Sequence, residues 1–297
     1  MEVIKKIFGG VCTALVTPFV GGVWGETPHS NEIDYIALKN LINNQIDAKT
    51  DALLVLGTTG EAATLTTNEK QNIIKFAIAT ISKRVPVIVG IGGNNPAAVI
   101  ELGLFAKSAG ADAVMVTAPY YNKATQHGIV EFFRVITEAV QMPLIMYNVP
   151  GRTGVNIEPA TAAKICALPW VAGIKEASGD MNQIAAVLNA CPGTPVYCGD
   201  DGLALPCYVL GAAGVISVAS NARPAVVKKV WSLFGEGKIN AARKLFMSEL
   251  GFYKSLFCEV NPIPIKFVLA KQGLVRNELR LPLTPLSKEH EKIFKIP

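Results

Sequence analysis

A chain of 297 residues, half of them hydrophobic and 17% charged, has a globular composition with room for a sizeable core, which excludes a disordered or fibrous protein. The net charge of +5 is spread along the chain without a basic run, so nothing marks a nucleic-acid or polyanion surface. Six cysteines form no C-x-x-C pair and lie far from His29, His127 and His290, Met1 to Lys6 is followed by no signal-type core, and no apolar run reaches about 18 residues; the expectation is a cytoplasmic chain with reduced thiols, no zinc site and no membrane span.

The pattern alternates short apolar runs with helical periodicity. Val11 to Thr17 reads as a strand ended by Pro18, and a loop carrying Trp24 leads to a helix over Asp34 to Ile46, with Asn31 as a possible N-cap. Strand Ala52 to Leu56 follows, then the turn Gly57 to Glu61 and a helix over Asn68 to Ser82. Further pairs are Pro86 to Gly90 with Pro96 to Ala109, Ala113 to Val116 with Gln126 to Val140, and Leu144 to Tyr147 with Glu158 to Ala167. Val171 to Lys175 precedes a helix over Met181 to Asn189, Val196 to Cys198 precedes Leu203 to Leu210, and Gly214 to Val218 is the eighth strand.

Eight buried-type strands alternating with helices predict an α/β fold, a (β/α)8 TIM barrel over residues 1–221. The competing architecture is an open doubly wound sheet, whose dinucleotide version wants G-x-G-x-x-G; the run from Gly90 has Asn95 at the third glycine, which counts against it. Residues 222–297 read as a C-terminal helical extension: Pro224 to Phe234, Ile239 to Phe257, Pro262 to Lys271 and a short extended stretch Arg280 to Pro285.

Lys175 ends the sixth strand, where an ammonium is costly to bury and where a lysine kept as free amine can attack a carbonyl. The alternative is an ion pair with Glu176, although consecutive strand residues point to opposite faces. In such a barrel the reactive groups gather where strands end. That rim receives Thr58 and Thr59 after strand two, Tyr120 and Tyr121 after strand four, Tyr147 at the end of strand five and Asp200 after strand seven. Taken singly, each is more often a packed ring or an ordinary turn.

Their conjunction points to a family. Gly57-Thr58-Thr59-Gly60-Glu61, Tyr120-Tyr121-Asn122, Tyr147 to Gly154, Gly173 to Gly179 and Asn261-Pro262-Ile263-Pro264 resemble dihydrodipicolinate synthases, over nearly the whole chain. The resemblance implies condensation of pyruvate with L-aspartate 4-semialdehyde to 4-hydroxy-tetrahydrodipicolinate, in lysine and diaminopimelate biosynthesis. It implies an imine on Lys175, proton transfer through Tyr147, Thr58 and Tyr121, and no metal or organic cofactor. The turn Thr58-Thr59 ahead of a helical segment offers backbone N–H groups and hydroxyls suited to the pyruvate carboxylate, the carbonyl of Ile216 matches a family contact near the imine, and Arg152 matches the binder of the semialdehyde carboxylate. A homotetramer of two dimers is implied, with Tyr121 reaching into the neighbour's site. The alternatives are a sister lyase acting on N-acetylneuraminate or a keto-deoxy sugar acid, which would want hydroxyl binders in place of Arg152, and a catalytically silent barrel.

Two features depart from the family. Where lysine-inhibited members carry polar and acidic pocket residues, this chain has Ala62, Thr67, Lys70 and Ala98, although Asn94 and Tyr120 match; a weak response to lysine is expected. The loop from Val20 to Ser30 is longer than usual.

Overall fold

Eight runs of buried residues pair side by side as parallel strands: β1 (Gly10–Ala14), β2 (Ala52–Val55), β3 (Val87–Gly90), β4 (Ala113–Thr117), β5 (Leu144–Asn148), β6 (Val171–Glu176), β7 (Val196–Cys198) and β8 (Gly214–Ser217). They form a closed barrel in chain order, and β8 returns to β1 through Gly10 opposite Gly214 and Thr13 opposite Ser217. The structure is a computed structural model that describes residues 6–21 and 32–294. The long loop from Val20 and the proposed cap Asn31 fall largely or wholly outside those residues; the first helix, Tyr35–Asp47, is capped by Asp34, whose side chain accepts from the Ala37 N–H.

Period-two alternation sorts the strand side chains into two cores. One set, including Cys12, Leu54, Ile88, Met115, Ile145, Tyr147, Tyr197 and Ile216, fills the barrel; the other packs against the helical ring. At the N-terminal end of the strands Phe8 stacks on Tyr197 at 4.1 Å, and Tyr197 donates its hydroxyl proton to the Phe8 carbonyl. A Cβ on Gly173 would lie 2.9 Å from the Tyr197 ring, so the glycine in the lysine-bearing strand makes room for that plug.

Closure between β8 and β1 is polar. Thr13 donates to Gln45, Gln45 donates to the Ser220 carbonyl, and Asn221 donates to the Ala14 carbonyl while accepting from the Val16 N–H. All these groups are buried and each finds a partner, as buried polar groups must.

The predicted helices appear within a few residues of their expected ends, with four differences. The turn after β2 is two 3-10 turns, Thr58–Gly60 and Ala62–Thr64, and the loop after β5 contains a short helix, Pro150–Thr153, started by Pro150, which needs no N–H there. Arg280 to Pro285 joins no sheet. It is pinned instead, Arg280 donating to Glu69 at 2.6 Å and to the Thr64 carbonyl. A last helical turn, Lys288–Glu291, was not foreseen.

The helices Pro224–Gly235, Ile239–Ser255 and Ile263–Lys271 continue from the barrel without a break. Lys228 bonds Asp51 beside β1 at 2.5 Å, and Lys266, fully buried, pairs with Glu61 just after the first 3-10 turn.

Candidate active site

Parallel register brings the strand ends together. Lys175 lies opposite Tyr147, and Tyr147 opposite Thr117, so lysine and tyrosine leave adjacent strands toward the same interior face. The Lys175 Nζ sits 4.1 Å from the centroid of the Tyr147 ring, over its electron-rich face. Both are buried, at 6% and 4% exposure. A Cβ on Gly199 would fall 3.0 Å from the Lys175 Cε, so the residue after β7 must stay small for the lysine to stand there.

Glu176 is held elsewhere. Its carboxylate accepts from the Asn148 side chain at 3.0 and 3.1 Å and from the Ser178 N–H at 2.8 Å, and Asn148 also bonds Asn156 and Ile157. No carboxylate among the described residues forms an ion pair with Lys175, so the simple salt-bridge reading fails.

A cavity of about 600 Å³ opens at this end of the barrel, and Thr58, Tyr147, Arg152 and Asn261 all line it. Lys175 is not on its wall; it stands beside Tyr147, which is. The first N–H groups of a 3-10 turn have no partner within the turn, so Thr58 and Thr59 offer donors suited to an anion. Thr59 is buried and its hydroxyl accepts from the Asn261 Nδ2 at 3.0 Å. Arg152, on the helix after β5, donates through Nη2 to the Asn261 carbonyl at 3.2 Å.

Ile216 lies on β8 with its side chain in the barrel interior. Asp200 does not reach the cavity wall: it caps the next turn by accepting from the Gly202 N–H. The buried carboxylate is its neighbour Asp201. Burial pushes its carboxyl up from the ordinary range, against the Ser217 hydroxyl at 2.5 Å and the Val218 and Ala219 N–H groups, which favour the anion.

Tyr121 stands apart from the others. It is 90% exposed in the single chain, in a left-handed backbone conformation (φ 70°), and its N–H donates to the Thr153 carbonyl. Tyr120, beside it, lines the cavity, and its backbone is clasped by the Asn94 amide through two bonds of 2.9 Å.

Asn261, Glu61 and Lys266 were within motifs or helices recognised in the sequence but were not assigned to the site. Their signal is tertiary, since each acts on a partner about 110 to 205 residues away. Ala98 and Lys70 both line the cavity's outer wall. One turn on from Ala98, Glu101 lines the same cavity, and burial pulls the Lys70 ammonium below its ordinary range.

A parallel barrel whose rim buries together a tyrosine and a lysine that forms no ion pair among the described residues defines an enzyme of the (β/α)8 class with an amine available for carbonyl chemistry. Residues 7–296 match the Dihydrodipicolinate synthetase family, and the chain belongs to it. Over 290 residues it is 41% identical to 4-hydroxy-tetrahydrodipicolinate synthase of Clostridium novyi, covering 97% of this chain and 95% of the relative. The crystal structure of dihydrodipicolinate synthase from Aquifex aeolicus superposes with a TM-score of 0.91 at 40% identity, covering 96% and 95% of the two chains. A chloride-inhibited dihydrodipicolinate synthase from Acinetobacter baumannii, solved with pyruvate, matches at 0.90 and 39%, covering 96% of each.

Proposed function

We propose that this chain is a 4-hydroxy-tetrahydrodipicolinate synthase, condensing pyruvate with L-aspartate 4-semialdehyde through an imine on Lys175. The observation that carries the reading is the buried Lys175 side chain over the Tyr147 ring, with no ion-pairing carboxylate among the described residues, beside a cavity lined by Thr58 and Arg152. The amine adds to the pyruvate keto carbon and water leaves. The protonated imine then draws off electrons as a methyl proton departs, and the resulting enamine carbon attacks the semialdehyde carbonyl, so the chemistry needs no further electron sink.

Tyr147, Thr58 and Tyr121 move the protons in this reading. The Thr58–Thr59 turn receives the pyruvate carboxylate, and the Ile216 carbonyl lies near the imine. Arg152 has a planar fork suited to the second carboxylate. Tyr121, exposed in one chain, acts in the site of a neighbour, within a homotetramer of two dimers. The enzyme works in the cytoplasm; among the described residues no helix is long and apolar enough to cross a membrane. Residues 1–221 supply the barrel and 222–297 a helical region that supports the rim.

Borohydride reduction in the presence of pyruvate tests the imine: mass should be gained on Lys175, and its absence would overturn the reading. A coupled assay with aspartate semialdehyde should show turnover where N-acetylneuraminate is not cleaved.

A further inference from the structure

We infer that Asn261 is a positioning residue that fixes the direction of the Thr59 hydroxyl, making it a proton donor to the carboxylate of the keto acid. The inference rests on the synthase reading above and deepens it.

A hydroxyl has one proton and two lone pairs. The Asn261 Nδ2 can only donate, and it stands 3.0 Å from the Thr59 Oγ. One lone pair is thereby taken, and the Thr59 proton is left for another acceptor. Thr59 is buried directly behind Thr58, which lines the cavity, so its hydroxyl sits one residue from the cavity wall. The same residue reaches the second carboxylate binder, since its backbone carbonyl accepts from the Arg152 Nη2 at 3.2 Å. One residue of the C-terminal helical region thus touches the binding groups proposed for both substrates.

The other end of the amide argues that the side chain is not there for stability. The Asn261 Oδ1 is buried and has no hydrogen-bond partner among the described residues. An acceptor shielded in that way destabilises the fold, whereas an apolar group of similar shape would not. A side chain kept at a stability penalty while it directs a hydroxyl beside the cavity wall is expected to serve binding.

The test uses the full chain with Asn261→Leu, Asn261→Asp, Thr59→Val and the double variant Asn261→Leu with Thr59→Val. Each is measured for pyruvate KM, kcat and melting temperature. Asn261→Leu should raise the pyruvate KM about 10- to 100-fold, the range of one hydrogen bond to a charged group, with kcat at saturation little changed and a melting temperature no lower. Asn261→Asp preserves shape, cannot donate, and should raise KM at least as far. The double variant should bind pyruvate no worse than Thr59→Val alone, because both changes act through one hydroxyl. Pyruvate KM unchanged in Asn261→Asp would mean that the hydroxyl donates to position 261, and would overturn the inference. So would additive losses in the double variant, or a fall in kcat that merely tracks a lower melting temperature. Failure of the wild-type chain to trap pyruvate on Lys175 would instead overturn the synthase reading itself.

Discussion

Lys175 and Glu176 are adjacent in sequence but held by different partners, the first by the face of Tyr147 and the second by Asn148 and the Ser178 N–H. Removing the lysine leaves the glutamate with its own partners. Lys175→Ala should therefore fold and melt near the wild-type temperature yet gain no mass on borohydride treatment with pyruvate; retained trapping would assign the nucleophile to another lysine. Tyr147→Phe keeps the ring under the ammonium and loses only the hydroxyl. Imine trapping should persist while turnover falls by about 10²–10⁴, the usual contribution of a placed proton-transfer group. Gly199→Ala probes the lysine's position from behind. Its Cβ would lie 2.5 Å from the Ala177 Cβ and 3.0 Å from the Lys175 Cε, so the neighbours of the amine must give, and the trapping rate should drop by as much as about 100-fold. An unchanged rate would show that Lys175 has slack.

The element that carries most of the site is the 3-10 turn after β2, and it is braced from outside the barrel. Glu61, left-handed at φ 52°, closes the turn, and its carboxylate meets the fully buried Lys266 and the Arg280 N–H. Lys266 also donates to the Glu278 carbonyl at 2.8 Å and lies 4.0 Å over the Phe19 ring. Breaking such a pair leaves a buried carboxylate uncompensated, so Lys266→Met should destabilise the chain by about 3–5 kcal/mol in urea unfolding. Burial lowers Lys266 to about 8, partly opposed by Glu61. Between that value and its ordinary 10.5 the unfolded chain holds the proton and the folded chain does not. Stability from this group therefore rises with pH across the window and is constant below it. The difference in unfolding free energy between wild type and Lys266→Met should move in favour of wild type from pH 8 to 10; a flat difference would show that the lysine keeps its proton.

On the scale of the whole molecule, Tyr121 is the group that a single chain leaves unused. It is 90% exposed, off the cavity wall, and tied through its N–H to the carbonyl of Thr153, in the helix of Arg152. If it serves a neighbour's site, as proposed, mixing Tyr121→Phe protein with Lys175→Ala protein should restore activity. Each hybrid dimer then holds one site with both wild-type groups. No recovery from two inactive parents despite demonstrated subunit exchange would place the tyrosine in its own chain's site, and an active Tyr121→Phe parent would place it outside catalysis.

The barrel was legible in the sequence because its signal is local: runs such as Ala52 to Leu56 and Ala113 to Val116 are buried on both faces and separated by helical periodicity, a pattern with few other solutions. Lys175 and Tyr147 were legible for the same reason, since each ends such a run. Glu176 illustrates the limit of local reasoning: strand alternation predicts which way it points, and only the fold supplies Asn148 as its partner. The bracing of the rim was not legible at all. Thr59 meets Asn261, and Glu61 meets Lys266, across about 200 residues, and no periodicity encodes such a meeting. Sequence by itself determined which residues could carry chemistry and that strand ends would gather them. Tertiary structure decided which donor faces which lone pair, because hydrogen-bond direction depends on where distant segments are brought within about 3 Å of each other.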